Sequence, residues 1–270
     1  MGRVAAVNRS NGRSSTSLDG GVRPVKSAER TLAVLEYLSS SEEPRSLRET
    51  AEELKIPRAS AYALLTTMVH SGWVEVTGGE YRLGVRSLRV GASFIESDSM
   101  VHQAEPVIES LSRRLNETIH LARLDHDEVV YMVTKPSQHS LSIVIRPGRR
   151  MPAWATALGK AMLAEWDWPD VEDLLPDEMP ALTAKTLSTR EALAQDLKDT
   201  LRRGYAIDDE ESSIGLRCFA VAVGAERPPV YALSCPVPMA RLDPEREAEI
   251  AEAMLGARAT LVPSLGRMAL

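Results

Sequence analysis

At 270 residues the chain suits two domains better than one, and with 44% hydrophobic and 26% charged residues it can bury a sizeable core and stay in solution. Aromatic residues make up 4%, too few for stacking on single-stranded nucleic acid to be a main activity, and two cysteines do not build a disulfide framework. No apolar run is long enough to span a membrane and the N-terminus has no hydrophobic signal core, so the expected compartment is the reducing cytoplasm.

The formal charge of −6 is unevenly placed. Residues 91–270 carry −9, whereas residues 22–90 carry +1 and residues 1–21 carry +2. A near-neutral N-terminal module on an acidic body fits a specific nucleic-acid binder better than a general coating protein.

Residues 1–23 are rich in Ser, Gly, Asn and Arg, lack periodicity and read as a disordered tail. Ser27 is placed to cap a helix carrying Ala28, Leu32, Leu35 and Leu38. Ser46 and Glu49 form an S-x-x-E capping box, which opens a helix with Leu47, Ala51 and Leu54 on one face. Pro57 cannot continue that helix. Ala61, Leu64, Leu65, Met68 and Val69 then give a second helix its buried face, with Arg58, Ser60, Tyr62, Thr66 and Thr67 opposite. Two helices, a tight break and a polar outer face describe a helix-turn-helix, whose second helix reads DNA. The alternative is a plain helical hairpin. Trp73–Val76 and Tyr81–Leu83 alternate on either side of Thr77, Gly78, Gly79 and Glu80, a hairpin signal. Three helices and a hairpin over residues 24–84 make a winged helix-turn-helix, unless the hairpin only covers the helical core.

Val85, Leu88, Val90, Ala92 and Ile95 predict a linker helix over residues 85–98, suited to joining two domains or pairing with its copy. A stronger amphipathic helix runs from Ser99 to Asn116. Thr118–Leu124 and Val129–Thr134 read as strands around a polar turn, and Leu141–Arg146 alternates as a third. Ala155–Glu165 is a compact helix of small residues, where a neighbouring backbone or a ligand can approach closely. Ser188 and Glu191 form a second capping box, opening a helix that ends at Gly204. Tyr205–Asp208 is a short segment, Leu216–Gly224 and Val230–Val237 are strands joined by a Glu-Arg-Pro-Pro turn, and a last helix follows Pro244. Helices around antiparallel strands predict an α+β domain over residues 99–267, with a ligand cavity on one face of a sheet.

The chain resembles the IclR family of transcriptional regulators. The likeness rests on Val25-Lys26-Ser27-Ala28-Glu29-Arg30, Tyr81-Arg82-Leu83-Gly84, Ala155-Thr156-Ala157-Leu158-Gly159-Lys160-Ala161, and Gly204-Tyr205-Ala206-Ile207-Asp208-Asp209-Glu210-Glu211 leading into Gly215-Leu216-Arg217-Cys218. It covers about residues 24–262 in the family's order. The resemblance implies an N-terminal winged helix-turn-helix, a linker helix and a C-terminal GAF-like effector-binding domain. It also implies a homodimer or homotetramer on a near-palindromic operator of double-stranded DNA, repressing or activating a metabolic operon in response to a small, acidic or aromatic, molecule. No cofactor and no membrane enter that picture.

One departure concerns the recognition helix. The family often places an arginine before its Leu-Leu pair, where this chain has Ala63. Arg58, Ser60 and Tyr62 remain as readers of bases or sugars, and Arg45, Arg48 and Arg82 suit phosphates, which position without reading sequence. Ser46 and Thr66 complete the candidate DNA-binding set. For the effector, motif match points to Leu158, Gly159, Asp208, Cys218, Ser234 and Pro236, with Met151 and Trp154 nearby. Gly159 offers a backbone N–H near a helix start, which favours an anion. Ser234 can donate to a carboxylate. Asp208 asks instead for a donor, and Pro236 cannot donate where several relatives have a polar residue. Trp154 would suit a bulkier or aromatic ligand. Core packing is the competing account for Trp154, Cys218 and Met151.

If the last two strands turn near Glu226-Arg227, Cys218 and Cys235 lie opposite each other, which raises a redox switch against two reduced thiols. The five histidines show no zinc spacing, and no phosphate-binding or nucleophile-elbow motif occurs. The run Asp208–Glu211 reads as a solvated turn before it reads as a cation site. The alternative function is a GAF-like enzyme using Cys218 as nucleophile, although no base stands near it in sequence.

Overall fold

The structure is a computed structural model and describes residues 24–262. The tail expected over residues 1–23 and the expected domain end at residue 267 lie outside the described residues. The chain divides into two compact units between Ala92 and Ser93.

The first unit contains α1 (Lys26–Ser39), β1 (Arg45–Ser46), α2 (Leu47–Glu53), α3 (Arg58–His70), β2 (Val74–Thr77) and β3 (Glu80–Leu83). The Ser46–Glu49 capping box forms in full, each residue satisfying the other's backbone N–H. Pro57 stands at the N-cap of α3, where a missing N–H costs nothing. Gly78 and Gly79 both have positive φ, so β2 and β3 run right up to a two-residue turn and pair Thr77 with Glu80. Val34, Leu38, Leu65, Met68, Val74 and Tyr81 form the core, with Trp73 packed against it.

Two expectations fail here, and one element is new. Ser27 is not the cap of α1; the helix begins two residues earlier, at Lys26 behind Val25, which offers no side-chain acceptor. Leu32 points outward at 61% exposure and Val34 takes the core position, so the inward stripe is shifted from the expected one. Two-residue β1, invisible to periodicity, adds to the wing beside β3.

Helix α4 (Val85–Ser97) spans the division between the units. The second unit then contains α5 (Ser99–Leu115), β4 (Ile119–Asp125), β5 (Glu128–Lys135), β6 (Arg150–Pro152), α6 (Ala157–Leu163), α7 (Trp168–Leu174), α8 (Arg190–Arg203), β7 (Ala206–Asp209), β8 (Leu216–Val223), β9 (Tyr231–Pro238) and α9 (Pro244–Leu261). Its six strands form one antiparallel sheet in the order β6-β5-β4-β9-β8-β7. The period of two sorts β8 cleanly. Phe219, Val221 and Val223 join the core under α5 and α9, while Ala220 and Ala222 face the opposite core with α6, α7 and α8. Every residue of β9 is buried because both faces of the sheet are covered. This is an α+β domain of the GAF-like kind, and no helix among the described residues is long and apolar enough to cross a membrane.

Leu141–Arg146 is not a strand: its alternation belongs to a loop, with Leu141 and Val144 exposed, and Arg150–Pro152 takes the ladder position beside β5. Ala155 belongs to a 3-10 turn over Ala153–Ala155, and Thr156 caps α6. Thr189, not Ser188, caps α8 by accepting from the Ala192 N–H. Helix α7 was not expected.

Candidate nucleic-acid interface and effector cavity

Helix α3 presents Arg58, Tyr62 and Thr66 to solvent, with Ser60 half-buried beside them. Arg48 is exposed on α2. The other three candidates are more committed. The Ser46 hydroxyl donates to Glu49 Oε2 at 2.7 Å and accepts the Glu49 N–H, so capping uses it rather than DNA. Arg82 grips Glu75 through two nitrogens at 3.0 and 2.8 Å, which offsets its charge. The Arg45 guanidinium lies 5.4 Å from the centre of the Tyr37 ring and is half-buried.

In the second unit a cavity of about 70 Å³ lies on the α6 face of the sheet. At roughly 10–15 Å³ for each water-sized body, it holds about five to seven heavy atoms. Leu158, Asp208, Cys218, Ser234 and Pro236, to which motif matching points, line it, and so does Met151, which was placed nearby. Trp154 and Gly159 do not. Trp154 is fully buried in the core, which removes its argument for an aromatic ligand. The Gly159 N–H is taken by the Thr156 hydroxyl at 3.1 Å, so it is not free for an anion. A β-carbon on Gly159 would stand 2.1 Å from the Ala153 carbonyl oxygen; glycine is there for close backbone approach.

Sequence reasoning missed His120, Tyr131, Ile143, Ile145, Thr156 and Ser212, which also line the cavity. His120 and Tyr131 meet edge to face with centroids 5.1 Å apart. Burial alone drives the His120 pKa down to about 4, so the ring is neutral near pH 7. Burial likewise pushes the Tyr131 phenol up.

Asp208 does not wait for a ligand donor. Its Oδ1 accepts the N–H groups of Glu211 (2.7 Å) and Ser212 (3.1 Å), and its Oδ2 accepts the Ser212 hydroxyl (2.5 Å). Burial still raises its pKa against those bonds and the pull of Lys160. Nor is Asp208–Glu211 a solvated turn. Lys160, 0% exposed, lies 2.6 Å from Glu211 and 3.0 Å from Asp196. Lys185 and Arg217 share Asp209, and Lys185 also holds Glu210. Each carboxylate of the run other than Asp208 is thus engaged by a cation, and Asp208 by three hydrogen-bond donors.

The cysteines are not partners. Cys218 stands opposite Pro236 and Cys235 opposite Phe219, one residue out of register. A shift of one turns a side chain to the other face. Cys218 therefore faces the cavity while Cys235 is packed under α5 and α9. Burial, with Asp208 second, raises the Cys218 pKa well above its ordinary value, the reverse of what activates a nucleophile.

A winged helix-turn-helix unit followed by an α+β unit with a small, mainly apolar cavity that carries a few polar groups defines a DNA-binding transcriptional regulator. The chain belongs to the IclR family: residues 27–78 match the IclR helix-turn-helix domain and residues 92–261 the bacterial transcriptional regulator IclR C-terminal domain. It is similar to the transcriptional repressor IclR of Escherichia coli K12, with 31% identity over 250 residues that cover 90% of this chain and 91% of that protein. The fold is that of an IclR transcriptional regulator from Alicyclobacillus acidocaldarius, with a TM-score of 0.78 at 22% identity over 88% of this chain and 98% of that one. An IclR homolog complexed with 4-hydroxybenzoate, from Microbacterium hydrocarbonoxydans, gives 0.71 at 23% identity over 87% and 98%. The protein is a regulator and not an enzyme, which closes the nucleophile reading of Cys218.

Proposed function

We propose that the protein is a ligand-responsive regulator that binds a near-palindromic operator as a homodimer or homotetramer, in the cytoplasm, and controls a metabolic operon. The cavity in the second unit, mainly apolar with His120, Asp208 and Ser234 among its lining, carries the effector half of this reading. Arg58, Ser60, Tyr62 and Thr66 on α3 meet bases and sugars, while Arg48, with Arg45 and Arg82 beside it, meets phosphates. The apolar stripe of α4 supports the oligomer: Val85 and Leu88 are each 72% exposed, and a second copy of the helix would cover them. That one relative is named a repressor and another is described with a bound aromatic acid supports repression relieved or reinforced by a small molecule.

The mechanism is a two-state one. The effector shifts operator affinity only so far as it binds one arrangement of the two recognition helices better than the other. Those helices must match half-sites about one helical turn apart. Selection of genomic fragments by the purified protein, followed by footprinting at two salt concentrations, tests the reading. A protected near-palindrome supports it. Weak binding that selects no sequence and vanishes with salt would sink it.

A further inference from the structure

The His120 ring is held in one tautomer by its surroundings. The Thr134 hydroxyl has a single proton and donates it to the Ile145 carbonyl oxygen at 2.6 Å. That hydroxyl also lies 2.9 Å from His120 Nδ1 and can only accept there. The proton between them therefore belongs to Nδ1, and the neutral ring carries its lone pair on Nε2. His120 is 1% exposed, and Nε2 has no hydrogen-bond partner among the described residues. His120 lines the cavity, so its unpartnered Nε2 is a fixed acceptor at that wall. Ser234 stands directly opposite His120 on the neighbouring strand, lines the same cavity and can donate. A carboxylate there would set acceptor against acceptor, with Asp208 on the same wall.

Building on the effector-cavity reading, we propose that the cavity selects a small hydroxylated molecule, whose O–H donates to His120 Nε2 and whose oxygen accepts from Ser234. His120 is then the residue that decides ligand specificity.

Two measurements on the full-length protein test this. Long-range proton–nitrogen NMR of the imidazole at pH 7, assigned by its loss in His120→Gln, should show a neutral ring with the proton on Nδ1; a proton on Nε2 overturns the proposal. Calorimetry should compare neutral compounds differing by one hydroxyl: glycerol with propane-1,2-diol, propane-1,2-diol with propan-1-ol, and ethane-1,2-diol with ethanol. In at least one pair the hydroxylated member should bind about tenfold tighter. His120→Phe should abolish that preference, while His120→Gln, which keeps an acceptor, should retain part of it and show that the fold survives. Failure of every pair to bind or to discriminate overturns the proposal. A probe that binds with the predicted preference yet leaves operator affinity unchanged supports the role of His120 and defeats the effector reading instead.

Discussion

Acidification should weaken the second unit through His120. Its pKa falls from an ordinary 6.5 to about 4 in the fold, because burial penalises the charged ring. Below pH 6.5 the unfolded chain takes up a proton that the folded chain refuses until about pH 4. Stability is therefore whole above 6.5 and is lost as pH falls across that window. The gap amounts to about 3 kcal/mol at the acid end. Asp208 and Glu211 act in the opposite sense, since burial raises both and the fold holds protons that the unfolded chain releases. The quantity to measure is thus the difference between the parent and His120→Gln, which leaves the carboxylates in place. Urea unfolding can be followed by the fluorescence of Trp154, Trp166 and Trp168, in a Trp73→Phe background that silences the first unit. The parent should lose about 3 kcal/mol relative to the variant between pH 6.5 and 4. Parallel pH curves would show that the imidazole titrates in the fold as it does unfolded, and the argument from burial would fall.

Gly159→Ala should destabilise the second unit by about 3 kcal/mol or more, because backbone and not a yielding side chain blocks the new methyl; an unchanged unfolding midpoint would refute this. Lys160→Met strands the buried Glu211 carboxylate and takes the cation from half-buried Asp196, and should cost about 3–5 kcal/mol, read by the same unfolding assay. Arg58→Ala should weaken operator binding by about 1–3 kcal/mol and nonspecific binding by less, in gel-shift titrations on both DNAs; equal losses would remove its base-reading role.

What was legible in the sequence was local. The Ser46–Glu49 box, the stop at Pro57 and the Gly78-Gly79 turn each rest on neighbours within four residues, and all three formed. Motif matching pointed to five of the cavity residues because the small-residue helix and strands β7, β8 and β9 carry them in contiguous runs. Long-range choices were hidden. The cysteine pairing depended on a register that sequence spacing fixed only to within one residue, and one residue decides the face. Leu141–Arg146 alternates because Ile143 and Ile145 turn toward the cavity, a pattern that imitates a strand without a ladder. His120 sits in a strand read only for its apolar side. Nothing in its neighbourhood along the chain announces Thr134 or Ser234, which reach it across the sheet.

Ser46 is both the last residue of β1 and the N-cap of α2. There is consequently no hinge residue between the wing and the first helix of the reading pair: the strand that steadies β3 becomes the helix in a single step. On the proposed reading the unit would meet its operator as a die, not as a hand with a separate thumb. If α3 reads bases as proposed, a mismatch beneath it would not be relieved by swinging the wing apart from α2.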